Sequence, residues 1–161
     1  MAVDMFLVCD TLEGESRDKT HKGKIDLLAW SWGLSQSGTT HGGGGGGAGK
    51  VNVQDLSFTK YVDKASAPIQ LACMKGTHIP EATLIVRKAG DTPLEYIKIT
   101  MTEIIVAAVS TGGSGGEDRL TENVTFNFAK VKFEYQPQDA VGASDGAVKD
   151  YTFNIAENNA A

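Results

Sequence analysis

The chain has 161 residues, with 15 basic and 20 acidic side chains and a net charge of −5. This length predicts one domain over residues 1–161, whose core is large enough to need neither disulfides nor a structural metal. A net negative charge is the wrong sign for a phosphate-binding surface, so we do not expect nucleic acid as a partner.

The cysteines and the N-terminus bear on the cellular compartment. Cys9 and Cys73 lie far apart in core-like segments, which favours a reducing folding compartment. The run Met1–Asp10 has no basic region, and its apolar stretch is too short for a signal peptide. Lys98 and Glu103 interrupt even the best candidate for a membrane span. We therefore expect folding in the cytoplasm, no cleaved signal peptide and no membrane insertion.

Alternation of apolar and polar residues with period two, rich in β-branched and aromatic types, predicts seven or eight strands. The fifth segment is long enough to bend. In chain order the segments are Met5–Asp10, Lys24–Gly33, Val51–Lys60, Ala82–Lys88, Glu95–Val109, Glu122–Tyr135 and Val148–Ile155.

Two of these segments carry further information. In the second, Trp30 and Trp32 share one face and Ser31 lies on the other, and neither face is strongly polar, so both faces are expected to be covered. In the sixth, the apolar phase changes between Phe128 and Val131. The change predicts a β-bulge or a barrel corner near Ala129.

One short helix is predicted between the third and fourth strands. Ser66 is the expected N-cap, Pro68 fits the first turn, Ile69 is one of its core-facing residues, and Gly76 can end it. The predicted fold is mainly β: an antiparallel β-barrel or sandwich with one short flanking helix and extended Gly-rich loops.

The Gly-rich loops imitate two catalytic motifs. Residues 44–50 match the first seven places of a phosphate-binding loop, but Val51 replaces the hydroxyl residue, and a strand pattern follows where a helix should begin. Residues 112–116 match a nucleophile elbow around Ser114, but all three histidines precede that serine, in the wrong order for an α/β-hydrolase. We therefore expect no catalytic residues and no nucleotide cofactor.

Metal binding is not expected either, because the histidines and cysteines show no paired spacing. Hydrophobic strands and overlong glycine loops, without a reaction centre, instead favour a protein whose surfaces are completed by neighbouring subunits. A monomer with flexible loops is the plain alternative.

Several long runs resemble the haemolysin-coregulated protein (Hcp) family, the inner-tube subunits of the bacterial type VI secretion system. They include Leu-Ala-Trp-Ser-Trp-Gly and Ser-Thr-Gly-Gly-Ser-Gly-Gly-Glu-Asp-Arg-Leu-Thr-Glu-Asn-Val-Thr, and Lys24 stands where the family often has an acidic residue. The matching runs are Met1–Phe6, Gly14–His21, Leu28–Gly33, Gly49–Tyr61, Ser110–Thr125 and Tyr135–Gln138.

The resemblance implies a barrel subunit, not an enzyme, that forms homohexameric rings stacked into a hollow tube. It implies a contractile sheath around the tube, a VgrG-type spike protein at its tip, and small effector proteins carried and protected in the lumen. It also implies secretion in one step from the cytoplasm, which would explain a secreted protein without a signal peptide.

Residue roles follow from the resemblance as expectations. The two Gly-rich loops are expected to contact neighbouring subunits or rings, because glycine allows close backbone approach. Ser31 is expected to line the lumen and contact cargo, with a partly buried structural serine as the alternative. The expected subunit or ring contacts are Gly42, Gly46, Gly49, Gly112, Gly113, Gly115, Glu117 and Asp118.

Two other classes remain open from the sequence. A bacteriophage tail-tube subunit would also form stacked rings. A monomeric enzyme or binding module would instead carry a site that the sequence motifs do not reveal. Neighbouring sheath and spike genes would distinguish the first, and mass in solution would distinguish the second.

Overall fold

The computed structural model describes residues 2–38, 41, 47 and 49–160, which form ten strands and one helix. Each of the seven predicted segments overlaps a strand, and the helix lies in the predicted place, so the predicted fold class is confirmed. The elements are β1 (Val3–Val8), β2 (Ile25–Ser31), β3 (Leu34–Ser35), β4 (Asn52–Val53), β5 (Leu56–Tyr61), α1 (Ser66–Lys75), β6 (Ile79–Lys88), β7 (Glu95–Thr111), β8 (Thr121–Tyr135), β9 (Lys149–Asn154) and β10 (Asn159–Ala160).

Six antiparallel strands close into a barrel in the order β8-β5-β2-β1-β6-β7, and the pairing of β7 with β8 completes the circle. One edge of β8 pairs with β5 as far as Phe126, and from Lys130 onward the same edge pairs with β9. Closure leaves the six strands without an open sheet edge over most of their length. The barrel interior is filled by fully buried apolar side chains, among them Leu7, Ile25, Leu56, Ile99 and Phe126.

The apolar phase changes at the same level in three neighbouring strands. Pro80, Glu103 and Ala129 lie at this level, and Glu103 has a left-handed backbone, with φ of 55°. The register of β8 with β7 has no shift at this level, so there is no bulge at Ala129. The predicted corner is confirmed, because the residues that face the core change there from one side of the strand to the other. On either side lie two rows of buried residues, Ile79, Ile104 and Phe128 in one and Ala82, Met101 and Val131 in the other.

The predicted strand Val51–Lys60 is wrong as a single element, because the chain bends between β4 and β5. At the bend, the indole N–H of Trp32 donates to the Gln54 carbonyl at 2.9 Å, and the Gln54 N–H donates to the Gly33 carbonyl at 3.0 Å. β3 and β4 consequently form a separate two-stranded arm that extends from the β2–β5 hairpin.

The helix α1 begins at Ser66, the residue predicted to be its N-cap. Ala65, which has no polar side chain, occupies the N-cap position, and Ser66 is the first helical residue. The Ser66 hydroxyl is buried and bonds to the barrel, so the prediction of Ser66 as N-cap is wrong. Gly76 ends the helix with φ of 64°, as expected for a residue that tolerates the left-handed region.

Candidate assembly and cargo surfaces

The loop between β7 and β8, residues 112–120, is exposed along its whole length. A Cβ atom at Gly112 or Gly115 would have no neighbour within 4 Å among the described residues. At Gly113, by contrast, a Cβ would lie 2.8 Å from Leu120 Cδ2. The exposed Leu120 side chain can turn aside from such a Cβ, whereas Gly112 and Gly115 already leave open space that another molecule can occupy.

The acidic residues of this loop are free of ion pairs within the chain. Glu117 and Asp118 are exposed, and neither forms a salt bridge in the described part of the protein. The following residue, Arg119, lies with its guanidinium 3.7 Å from the centroid of the Tyr61 ring. The arginine is thus held on the aromatic face, and the two carboxylates remain available.

The two sides of the arm are in contact at Ser37 and Gly49. The Gly49 N–H donates to the Ser37 carbonyl at 3.3 Å, and a Cβ at Gly49 would lie 2.2 Å from Ser37 Oγ. Gly49 is therefore close to its own chain, and a subunit contact there stays a prediction. Gly42 and Gly46 lie outside the described residues.

Ser31 is exposed at the end of β2, while Trp30 and Trp32 are half-buried and pack against the core. This arrangement matches the expected alternation of faces. Ser31 lines a cleft of about 220 Å³ together with Ser57, Thr59 and other residues of β2, β5 and β8. Its lining in full is Ala29, Trp30, Ser31, Ser57, Phe58, Thr59 and Asn123.

The polar groups beside Ser31 are uncharged and bond to each other across the strands. The hydroxyls of Ser57 and Thr125 lie 3.0 Å apart, and the Thr59 hydroxyl donates to Asn123 Oδ1 at 2.7 Å. Asn123 also lines a second cleft, of about 380 Å³, at the β7–β8 loop. The part of the outward face of β2, β5 and β8 beside Ser31 is therefore a neutral, hydrogen-bonding surface that continues to the β7–β8 loop.

A different surface lies between the arm and β9. An apolar cleft of about 180 Å³ is bordered by the arm on one side and by β8 and β9 on the other. Burial raises the pKa of Tyr151, which stacks on Phe133 with the ring centroids 6.0 Å apart. The lining residues are Trp32, Leu34, Val51, Val53, Val131, Tyr151 and Phe153.

A buried polar network, absent from the sequence prediction, ties the start of α1 to the barrel. Lys60 and Glu122 form an ion pair with both side chains inaccessible to solvent. Lys60 Nζ also lies 2.9 Å from Asp63 Oδ1, and the Ser66 hydroxyl donates to Glu122 Oε1 at 2.6 Å. The strand alternation carried a signal for it, because Lys60 is in phase with the inward Leu56 and Phe58.

A second cluster holds the loop between β1 and β2, residues 9–24, against the barrel. The buried Arg87 donates to Asp18 at 2.5 Å and to Asp4 at 3.0 Å, and its guanidinium lies over the Phe6 ring. The hydrogen bond from Arg87 holds the pKa of Asp18 well below its usual range, and Asp18 in turn raises the pKa of Arg87. The His21 ring also packs against Phe6, with the ring centroids 4.6 Å apart, and His21 Nε2 lies 2.6 Å from Glu95 Oε1.

Metal ligands, membrane-spanning helices and the segment that imitates a phosphate-binding loop bear on other classes of function. Within residues 2–38, 41, 47 and 49–160, no group of three or more His, Cys, Asp and Glu side chains could hold a metal ion. No helix in the same described ranges is long and apolar enough to cross a membrane. Lys50 is exposed and β4 follows it, so the segment that imitates a phosphate-binding loop leads into a strand, as predicted.

The fold and these surfaces define a small closed β-barrel that presents loops and one uncharged polar face to other molecules. A family model described as "Type VI secretion system effector, Hcp" matches residues 6–135. "Protein hcp1" of Pseudomonas aeruginosa is 62% identical over 159 residues, which cover 98% of each protein. The chain therefore belongs to the Hcp family of type VI secretion proteins.

Solved structures agree with this assignment. The crystal structure of Hcp1 from Salmonella typhimurium is 40% identical, covers 100% of both chains and superposes with a TM-score of 0.82. A structure of a type six secretion system protein, 28% identical, covers 99% of this chain and 100% of that chain with a TM-score of 0.93. The expected family is thereby confirmed, and with it the coarse role of a secreted tube protein.

Proposed function

We propose that this chain is a structural subunit of a type VI secretion tube, acting as one unit over its length and without catalytic activity. Copies form hexameric rings, and rings stack into a hollow tube. The observation that carries the proposal is the 62% identity to Protein hcp1 across 98% of both proteins. Identity at this level over the whole length supports the same barrel fold in the two proteins.

The two Gly-rich loops supply contacts between copies in this proposal. Gly112 and Gly115 leave open space in an exposed loop, which suits close approach by another backbone. Glu117 and Asp118 provide unpaired charge beside them. Gly42, Gly46 and Gly49, in the chain between β3 and β4, are the other proposed contacts, and the apolar cleft beside the arm would be buried against a neighbour.

The neutral face around Ser31 lines the lumen and contacts cargo. Its hydroxyl and amide groups are largely bonded to each other, so it offers a wet, uncharged surface rather than one deep pocket. Small effector proteins carried there would be shielded from the cytoplasm and held by many weak contacts. The contractile sheath and a spike protein of the same system are the further partners.

A secretion experiment tests this function. The protein should appear in the culture medium of its host only when the genes for the contractile sheath are intact, while its cytoplasmic level stays unchanged. Release that persists without the sheath, with a cytoplasmic marker retained in the cells, would overturn the proposal.

A further inference from the structure

Residues 17–24, in the loop between β1 and β2, carry four basic side chains and one acidic side chain on a chain whose net charge is −5. Arg17, Lys19 and Lys22 are exposed, and Lys24 is half-exposed. None of these four side chains takes part in an ion pair with any described residue. Four unpaired cations thus lie within eight residues.

Three of the four acidic residues in the loop, residues 9–24, have partners outside it. Asp18 is bound by Arg87, which also lowers its pKa. Glu15 accepts the backbone N–H of Lys64 at 3.0 Å, and Glu13 lies 4.0 Å from Lys64 Nζ. None of these three carboxylates forms an ion pair with the four cations.

The strand register places this basic loop and the acidic β7–β8 loop at the same end of the barrel. Leu27 near the start of β2 pairs with Lys60 near the end of β5, and Lys60 pairs with Glu122 near the start of β8. Glu122 also pairs with Thr111, the last residue of β7. The two loops therefore lie at one end of the barrel, and the strands β2, β5 and β8 separate them.

We infer that the basic loop of one subunit receives Glu117 and Asp118 of the next subunit within a ring. The inference rests on the proposed ring and names the surfaces that close it. Rotation about the ring axis keeps the same end of every barrel at the same level along that axis. It also brings one side of each subunit against the opposite side of the next, so the two loops meet side by side. Such a head-to-tail interface needs two unlike, complementary surfaces on one chain, and opposite charge satisfies that need.

Charge reversal tests the contact. The variants are Lys19→Glu with Lys22→Glu, Glu117→Lys with Asp118→Lys, and all four changes together. Ring formation is measured by sedimentation of the purified protein between about 50 and 500 mM NaCl. Each double variant should raise the apparent dissociation constant of the ring roughly five- to tenfold at low salt, and high salt should reduce this difference. The fourfold variant should recover most of the loss.

A matched control separates this contact from general charge effects. Lys75→Glu with Lys149→Glu makes the same change in net charge as Lys19→Glu with Lys22→Glu, on exposed residues outside the two loops, and it should leave the ring unchanged. The inference is overturned, while the ring stands, if both loop variants form rings as the parent does. It is also overturned if the loss of association free energy in the fourfold variant equals the sum of the losses in the two double variants. If the parent itself forms no ring, the proposed function fails instead.

Discussion

Lys60 and Glu122 lie directly opposite each other on β5 and β8, and their side chains form an ion pair inside the barrel. Glu122 Oε2 is buried without a hydrogen-bond partner among the described residues. A buried pair of this kind stabilises the fold less than its Coulomb energy suggests, because both ions were taken out of water. Removing one partner alone, however, leaves an uncompensated buried charge.

Replacing Lys60 with Met should therefore destabilise the protein by about 3–5 kcal/mol. The double change Lys60→Met with Glu122→Leu should recover part of this loss, because it removes both charges of the pair but leaves Asp63 without its lysine. Urea unfolding at one fixed, low protein concentration measures both values and limits the contribution of assembly.

Lys98→Met is the control for that experiment, since Lys98 is partly exposed and lies 3.4 Å from Glu95. It should cost less than about 1 kcal/mol. Equal losses at Lys60 and Lys98 would show that the buried pair has no special role.

Asp18 makes stability depend on acid pH. Because Arg87 lowers the pKa of Asp18 in the folded state, the unfolded chain binds the proton more readily. The stabilisation is complete above the unfolded value of 3.8 and is lost as the pH falls below it toward the depressed folded pKa. Asp18→Asn should cost about 2 kcal/mol at neutral pH, the usual value of a hydrogen bond to a charged group.

Unfolding measurements at several pH values on either side of 3.8 check this dependence. Asp18→Asn should flatten the acid end of the stability profile, whereas Asp145→Asn, at an exposed carboxylate, should leave it as in the parent. A parent and an Asp18→Asn variant with the same acid slope would rule out this role for Asp18.

Glu103 is strained by its left-handed backbone, with φ of 55° in the middle of β7. Glu103→Gly should stabilise the protein by about 1 kcal/mol, because glycine adopts this conformation without a clash. Thr102→Gly, one residue earlier and without a positive φ, should instead destabilise it. A loss of thermal stability at Glu103→Gly as large as that at Thr102→Gly would show that the strain is unimportant.

The open space at Gly115 allows a test of the loop contact that spares the fold. Gly115→Trp should leave the unfolding temperature of the subunit unchanged and weaken assembly, measured by negative-stain imaging. Gly113→Ala should also leave the unfolding temperature close to that of the parent, since its Cβ would meet only the end of the exposed Leu120 side chain. Normal rings and normal stacks with Gly115→Trp would exclude this part of the loop from the contact.

Cargo contact at Ser31 is tested with the same substitution at two exposed serines. Ser31→Gln should keep the ring intact and reduce retention of a co-expressed small effector, because the longer side chain fills the cleft. Ser144→Gln, in an exposed loop, should affect neither property. Unchanged effector retention by an intact Ser31→Gln ring would remove the cargo role.

The strand pattern could be predicted because alternation is a local property of the sequence. The same holds for Gly76, whose position after the apolar residues of α1 marks the helix end. The change of face near Ala129 was visible in one strand, but its alignment with Pro80 and Glu103 depends on register between strands, which no single segment encodes. The local sequence favoured Ser66 as an N-cap, but its hydroxyl is hydrogen-bonded to the buried Lys60 and Glu122 side chains.

The candidate site was predictable only in part. The exposure of Ser31 followed from alternation with Trp30 and Trp32. The free charges of the basic loop did not follow from sequence, because only the structure shows that Asp18 is bound by Arg87 and Glu15 by the Lys64 backbone. Charge balance in a loop depends on which carboxylates are already paired.

Native mass spectrometry of the purified protein tests the central claim, self-association into a hexameric ring, most directly. The predicted result is a dominant species of about 102 kDa, six copies of the 17.0 kDa chain. The spectrum should shift toward smaller species for the charge-reversed loop variants. A parent protein that stays at 17.0 kDa even at high concentration would contradict the account.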